Sequence, residues 1–203
     1  MIRTGFYFAA GPGLVGALFA WLGWWGPAVL FFALAAFVLF FFRDPERAVP
    51  TAPGAIVSPA DGRVLTVDQT SLEGRSQTRI SIFLSVFDVH VNRAPIAGRI
   101  GAVQYRPGRF HVASREAASR ENEQNEVALE GEGTRVVFRQ IAGILARRIE
   151  FWKRLGDQLE RGQRVGMIRF GSRTEVFFEP HYRVQVRPGE HVKGGATILA
   201  IRE

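Results

Sequence analysis

The hydrophobic pattern of the chain changes abruptly near residue 43. No residue from Thr4 to Phe42 is charged, and Arg3 and Arg43 flank this stretch. The cluster Gly23-Trp24-Trp25-Gly26-Pro27 divides it into two apolar runs. One membrane span needs roughly 20 apolar residues, so the stretch is long for one span and just sufficient for two short ones. We expect a helical membrane hairpin, with a single or re-entrant segment as the alternative.

The charges that flank this hairpin predict its orientation. Arg3, Arg43 and Arg47 would lie on one side of the membrane, and the positive-inside rule makes that side cytoplasmic. We therefore expect a membrane anchor over residues 1–43 and a proline-rich linker over residues 44–54. The domain that follows would face the cytoplasm from the cell (inner) membrane. A cleaved signal peptide fits poorly, because the apolar run is too long.

Beyond residue 54, short β-rich runs alternate with turn residues. The runs end at Gly, Pro, Ser or Asp, as strands commonly do. Only Val112–Ser119 suggests a short helix or a loop. The predicted strands cover residues 55–57, 62–67, 79–84, 99–105, 125–129, 134–140, 147–151, 165–170, 174–178 and 197–201. This pattern predicts a mostly β domain over residues 55–203, a small sandwich or barrel.

A weak internal repeat refines the fold prediction. Residues 159–168 and 186–198 each contain Gly followed by Gln or Glu, and each leads into a strand. Glycines at such turns supply a positive φ. Because this glycine-punctuated hairpin pattern is typical of lipoyl-like (hammerhead) folds, we predict a lipoyl-like β-sandwich behind the helical membrane hairpin.

Composition narrows the possible chemistry and partners. The absence of cysteine excludes disulfides, Cys-ligated zinc and thiol nucleophiles. The formal net charge is +7, and Lys153 and Lys193 are the only lysines. A basic surface suits anionic partners. A neighbouring membrane segment favours phospholipid over nucleic acid, and the aromatic-basic stripe that single strands stack on is missing.

Asp61 and His90 are the first two candidate catalytic residues. Asp61 belongs to Pro-Ala-Asp-Gly, where an aspartate most often serves only the turn. His90 has Asp88, Asn92 and Arg93 close by in an otherwise apolar run, so structural and functional roles are equally open. No His, Asp or Glu cluster has the spacing of a metal site.

Ser172 is the third candidate, because it follows Gly171 between two apolar runs. The dipeptide could form a simple turn, or it could be the point at which the chain cuts itself. No Gly-x-Ser-x-Gly elbow is present, so a conventional serine hydrolase is a weak interpretation. The order of Asp, His and Ser proves nothing, since triads are recognised by their geometry.

Four sequence blocks stand out, namely Phe42–Arg47, Val57–Gly62, Phe83–Pro95 and Gly162–Ser172, with support from residues 105–110, 121–123 and 140–143. Together they resemble the phosphatidylserine decarboxylase proenzymes, in particular their short form. The block that ends in Phe170-Gly171-Ser172 is the most specific. The blocks span nearly the whole predicted β domain.

The resemblance implies a pyruvoyl-dependent decarboxylation of phosphatidylserine to phosphatidylethanolamine. Ser172 would attack the Gly171 carbonyl, and elimination followed by loss of ammonia would convert Ser172 into a pyruvoyl group. That group would form a Schiff base with the substrate amine. A β chain of residues 1–171 and an α chain of residues 172–203 would result. The implied partners are these two chains, a phospholipid membrane and phosphatidylserine, with a homo-oligomer left open.

The resemblance also assigns roles to the candidate residues. Asp61 matches the aspartate that activates the serine for cleavage. His90 matches the first of two histidines that many long members carry three residues apart, but Arg93 stands where the second would be. Either His90 serves both cleavage and decarboxylation, or another group is the base. Arg93, Arg106 and Arg109 are candidates to bind the phosphodiester.

A second function class uses the same hairpin pattern without catalysis. A membrane-anchored lipoyl-like carrier or adaptor would need an exposed lysine at the tip of a hairpin. Lys193 is the only plausible one, and it lacks the usual flanking methionines. We therefore expect the decarboxylase.

Overall fold

The chain forms two compact units. The computed structural model describes residues 3–144, 148–169 and 171–203. The first unit is Met1–Glu46 and the second is Arg47–Glu203. The first unit contains two helices, α1 (Arg3–Trp21) and α2 (Trp25–Phe41).

A glycine ends α1 and turns the chain toward α2. The N–H of Trp24 donates to Phe19 O at 2.8 Å, and that of Gly23 donates to Ala20 O at 3.1 Å. Gly23 has a φ of +77°. This pair of bonds around a left-handed glycine is the Schellman motif, which satisfies the last carbonyls of a helix. The predicted turn at this cluster is thus a helix C-cap.

The two helices pack against each other through small and aromatic residues. A Cβ placed on Gly16 would lie 3.0 Å from the ring of Phe32, so the glycine permits the close approach. The rings of Phe19 and Phe31 stack with their centroids 5.6 Å apart. In the described part of the chain, neither helix has both the length and the apolar character that a membrane crossing requires. The membrane-spanning hairpin therefore stays a prediction.

The second unit is mostly β, which confirms the predicted class. Its described residues form the strands β1 (Ala55–Val57), β2 (Gly62–Leu72), β3 (Arg75–Leu84), β4 (Val91–Arg93), β5 (Gly98–Arg106), β6 (Gln124–Gly131), β7 (Thr134–Ile141), β8 (Ile149–Phe151), β9 (Gln158–Leu159), β10 (Arg164–Ile168), β11 (Ser172–Phe178), β12 (Tyr182–Val184), β13 (His191–Val192) and β14 (Ile198–Arg202), and the helix α3 (Glu116–Glu121). The predicted strands 147–151 and 165–170 include Arg147 and Phe170, which lie outside the described residues.

The strands form one large curled sheet and two small ones. The large sheet has the order β13-β2-β3-β11-β7-β6-β5-β9, and the small sheets have the orders β1-β14-β12 and β4-β10-β8. Register shifts in β2, β5 and β10 mark bulges, which bend a sheet locally. β11 lies in the middle of the large sheet, between β3 and β7.

The core lies on one face of the large sheet. Alternate residues of β3 and β11 bury Ile80, Ile82, Val176 and Phe178, and Phe138 of β7 packs beside them. Full burial of such a side chain is worth about 1.5–3 kcal/mol relative to exposure. The core therefore fixes β11 firmly.

The internal repeat forms the same turn twice. Each turn has four residues, Glu160–Gln163 in one and Arg187–Glu190 in the other. The N–H of the fourth residue donates to the carbonyl oxygen of the first, at 3.1 and 3.2 Å. The third residues, Gly162 and Gly189, have φ values of +74° and +94°, as the third position of a type II turn requires. The side chain of the fourth residue also accepts from the backbone N–H of the first, at 2.8 and 3.1 Å. The repeat is therefore a repeated turn that starts β10 and β13.

One end of the large sheet gathers many connecting loops. There, a row of paired residues crosses six neighbouring strands. The row consists of Arg106, Gln124, Ile141, Arg173, Phe83 and Arg63. We call this region the Ser172 end of the sheet. β2, β6 and β11 start there, and β3, β5 and β7 finish there. Loops next to those strand ends are therefore neighbours in space.

Candidate active site

Ser172 lies at the start of β11 and is completely buried. Its Oγ has no hydrogen-bond partner among the residues that the structure describes. Most buried polar groups are paired, so such a hydroxyl calls for an explanation. Gly171 has a φ of +61°, in the left-handed region that favours glycine. The chain thus presents a buried hydroxyl directly after a sharply turned glycine.

His90 follows β3 through a tight turn over Ser85–Asp88. The N–H of Asp88 donates to Ser85 O at 3.0 Å, and the N–H of Ser85 donates to the Asp88 carboxylate at 2.8 Å. His90 is completely buried, with Nδ1 2.9 Å from Asp88 O. Because a carbonyl oxygen only accepts, Nδ1 carries the proton and the lone pair of the neutral ring is on Nε2.

The end of β10 lies beside His90. The N–H of Ile168 donates to His90 O at 3.4 Å, and Ser172 follows Ile168 by four residues in the sequence. A second contact links β4 to the large sheet, where Gln140 Nε2 donates to Asn92 Oδ1 at 2.8 Å. Both Gln140 and Asn92 are buried, so this amide pair fixes the spacing of the two sheets beside the site.

Asp61 ends the turn that precedes β2, at the Ser172 end of the sheet. One carboxylate oxygen lies 2.6 Å from Arg47 Nη2, and the other accepts from the N–H of Gly194 at 2.8 Å. Burial raises the pKa of the Asp61 carboxyl, although Gly194 and Arg47 oppose the rise. The charge of Asp88 raises this pKa further. Two strand spacings, roughly 10 Å, separate the starts of β2 and β11.

Arg47 is a site residue that the sequence analysis missed as a functional group. It pairs with Asp61 through side chains that are only 11% and 15% exposed. A signal for it existed, because Arg47 ends the Phe42–Arg47 block. Asp61 lies 14 residues further along the chain, so spacing alone could not identify it as the partner of Arg47.

Replacement of Arg47 tests this ion pair. When folding raises the pKa of a carboxyl, that carboxyl contributes its whole stabilising free energy at pH values below its ordinary pKa. This contribution is lost as the pH rises through the raised pKa of the folded state. Arg47→Gln removes an opposing charge, so we expect the pKa of Asp61 to rise further and the folded protein to lose about 3 kcal/mol at neutral pH. Urea unfolding against pH, in a Ser172→Ala background, measures this loss. Arg63→Gln makes the same charge change at an exposed residue of the Ser172 end, and equal losses in both variants would contradict the prediction.

The three candidate substrate-binding arginines have different environments. Arg93 is 5% exposed, and its Nη1 donates to Gly162 O at 3.1 Å. Arg106 and Arg109 are exposed, with side-chain exposures of 51% and 75%. Arg106 ends β5, three strand spacings or roughly 14 Å from β11. The structure thus gathers Asp61, His90 and Ser172 at one end of the sheet, buries Arg93 and leaves the other two arginines at the surface.

An apolar pocket opens beside Gly171. Its volume is about 290 Å³. It is lined by Phe83, Ser85, Val86, Phe87, Val112, Ala113, Ile144 and Gly171. Phe87, Val112 and Ile144 also expose 65%, 39% and 53% of their surface. An apolar pocket with exposed apolar residues suits an apolar ligand or a lipid surface.

A buried ionic network holds the residue that follows Ser172. Arg173 Nη2 lies 3.1 Å from both Glu175 and Glu116, and its Nε donates to Ser81 Oγ at 2.5 Å. Arg173 and Glu175 are at most 1% exposed. Breaking a buried pair by removing one partner costs about 3–5 kcal/mol. The start of β11 is therefore anchored independently of the bond between Gly171 and Ser172.

Comparison with known proteins identifies the same family as the four sequence blocks. A family model described as phosphatidylserine decarboxylase matches residues 34–200. Three relatives are named phosphatidylserine decarboxylase proenzyme. The relative from Solibacter usitatus (strain Ellin6076) is 52% identical over 204 residues, covering 100% of this chain and 97% of the relative. Those from Cupriavidus metallidurans and Symbiobacterium thermophilum are 44% and 46% identical, covering 98% and 86% of this chain and 93% and 83% of the relatives.

These matches define the class of the protein as a decarboxylase enzyme. More closely, the chain belongs to the phosphatidylserine decarboxylase family. The resemblance drawn from the four sequence blocks is thereby confirmed.

Proposed function

We propose that this protein is a precursor that cuts itself between Gly171 and Ser172 and then decarboxylates phosphatidylserine to phosphatidylethanolamine. The observation that carries the proposal is the buried Ser172 hydroxyl, which has no partner among the described residues and follows a glycine in a left-handed turn. The name proenzyme, carried by the relatives, supports a maturation step.

The cleavage needs only groups of the chain and water. Ser172 Oγ attacks the Gly171 carbonyl carbon, the C–N bond breaks, and an ester with a free amine replaces the amide. Removal of the Ser172 Cα proton expels the Gly171 carboxylate from Cβ and leaves a dehydroalanine. This tautomerises to an imine, and water replaces its nitrogen, which leaves as ammonia. The chain end is then a pyruvoyl group, formed without any oxidant.

The fold supports such a cut. The α chain of residues 172–203 would keep β11 between β3 and β7, and β14 beside β1. The ionic contacts of Arg173 would hold its first residues in place. When formed, the pyruvoyl carbonyl supplies an electron sink for decarboxylation, because it condenses with the substrate amine.

His90 supplies the acid–base chemistry, and Asp61 supports it through its charge. With Nδ1 tied to Asp88 O, the His90 ring offers Nε2 to accept the Ser172 proton and later to return a proton at the carbon that loses CO2. The Asp61 carboxylate favours positive charge on the ring during cleavage. Its bonds to Arg47 and Gly194 keep it in place.

The surroundings of the site suit a phospholipid. The apolar pocket beside Gly171 would take the apolar part of the lipid, and the exposed Arg106 and Arg109 would meet its phosphodiester. The helices α1 and α2 would anchor the protein to the cell (inner) membrane, with the catalytic domain in the cytoplasm.

Intact mass of the purified protein tests the proposal. We expect two polypeptides, residues 1–171 and 172–203, with the smaller one blocked at its amino end. Phenylhydrazine should label the smaller chain at one carbonyl. A single chain of 203 residues that never reacts with the reagent would overturn the proposal.

A further inference from the structure

The carbonyl oxygen of Gly171 lies against the backbone of Gly143. The register of β7 and β11 pairs Ile141 with Arg173, so Gly143 continues opposite Gly171. A Cβ placed on Gly143 would lie 1.8 Å from Gly171 O, 3.0 Å from its carbon and 3.3 Å from Ala113 Cβ. The oxygen thus occupies the space that any side chain at residue 143 would need.

Asn122 holds both segments that border this oxygen. Its Nδ2 donates to Ala142 O at 2.7 Å and to His111 O at 2.9 Å, and its Oδ1 accepts from the N–H of His111 at 2.8 Å. Asn122 is 2% exposed. One buried amide therefore ties the segment that ends in Gly143 to the loop that carries Ala113.

We propose that Gly143, held by Asn122, is the positioning residue that orients the Gly171 carbonyl for attack by Ser172. The inference rests on the proposed self-cleavage and adds the residue that orients the scissile bond. Attack requires the carbonyl carbon to face Ser172 Oγ, and the direction of the oxygen decides which face the carbon presents. The absence of a side chain at residue 143 leaves room for that direction.

The size of the expected effect follows from the overlap. A carbon and a carbonyl oxygen in contact are roughly 3.3 Å apart or more. A methyl group at residue 143 would therefore displace Gly171 O by more than about 1 Å, and a misplacement of that size costs roughly 100-fold in rate. We expect Gly143→Ala to slow self-cleavage about 100-fold while the fold survives, because residue 143 lies beyond the end of β7.

The test follows the conversion of the freshly translated full chain by gel and intact mass. Gly101→Ala is the matched control, since the three atoms nearest its Cβ would belong to the Glu130 side chain and not to the backbone. We expect the control to cut at the wild-type rate. Hydroxylamine, which cleaves esters, should not cut the Gly143→Ala chain, because the block lies before ester formation.

Asn122→Asp provides an independent variant. It keeps an acceptor for His111 but loses both donated bonds, so we expect cleavage about tenfold slower. Folded Gly143→Ala and Asn122→Asp chains that cut within threefold of the wild-type rate would overturn the inference. A hydroxylamine-sensitive ester that accumulates in Gly143→Ala would also overturn it. Loss of the circular dichroism of Gly143→Ala would make Gly143 a structural residue, which overturns a positioning role.

The outcomes separate this inference from the proposed function. If the wild-type chain is never cut, the proposed function fails. If the wild type is cut, Ser172→Ala is not, and Gly143→Ala is cut normally, the inference alone fails.

Discussion

Replacing Ser172 by alanine is expected to leave one chain of 203 residues without carbonyl reactivity or decarboxylase activity. The proposed ester forms at Ser172 Oγ, and no other atom of the residue can replace that oxygen. The variant should fold normally, because the lost hydroxyl has no hydrogen-bond partner in the described parts of the chain. We expect the free energy of unfolding to change by less than about 1 kcal/mol. Intact mass, phenylhydrazine labelling and urea unfolding measure the three quantities.

Ser172→Thr is the matched variant for this experiment. It keeps the hydroxyl but adds a methyl group at a completely buried residue, where overpacking costs about 1–3 kcal/mol. We expect slow cleavage at the same bond. A Ser172→Ala chain that still separates into fragments of 1–171 and 172–203 would show that another group attacks.

The β class of the second unit was predictable because short β-rich runs end at Gly, Pro, Ser or Asp. In β3, apolar and polar residues also alternate, since Ile80 and Ile82 enter the core while Arg79 and Ser81 face away. β11 departs from this pattern. Its seven residues are all buried, because an ionic network covers the face opposite the core. No alternation of apolar and polar residues in the sequence predicts that Arg173 is buried.

The gathering of Asp61, His90 and Ser172 depends on long-range pairing. Asp61 lies directly before β2, His90 lies between β3 and β4, and Ser172 is the first residue of β11. The spatial order of these strands follows from tertiary contacts that a single sequence does not display. The resemblance to a family pointed to these residues as a set. The partners Arg47 and Asn122 were missed as functional groups, because their contacts cross 14 residues to Asp61 and 20 residues to Ala142.

The arrangement differs from a Ser-His-Asp triad. In a triad, the aspartate carboxylate accepts from His Nδ1 and orients the ring. Here Nδ1 is 2.9 Å from the carbonyl oxygen of Asp88, and the oxygens of Asp61 are bound by Arg47 and Gly194. A backbone carbonyl therefore sets the tautomer of His90. In the proposed function, Asp61 would act through its charge and its place in the loop, which separates its role from that of the histidine.

This separation predicts different losses for the two residues. We expect His90→Gln to lower both self-cleavage and turnover per pyruvoyl group, the latter about 100- to 10,000-fold, because glutamine cannot exchange a proton. Asp61→Asn keeps an acceptor for the Gly194 N–H, but it removes the charge and the second oxygen, which pairs with Arg47. It should slow cleavage, while the chains that do mature turn over at nearly the wild-type rate.

The measurement counts cleaved chains by intact mass and active sites by carbonyl titration, and then divides the decarboxylation rate by the number of sites. Division by the titrated sites is essential, since a variant that matures slowly would otherwise appear catalytically weak. Normal turnover per site in His90→Gln would assign the proton transfer to another group. Equal losses per site in both variants would mean that Asp61 still acts during turnover, and that the carbonyl of Asp88 alone does not prepare the ring of His90 for proton transfer.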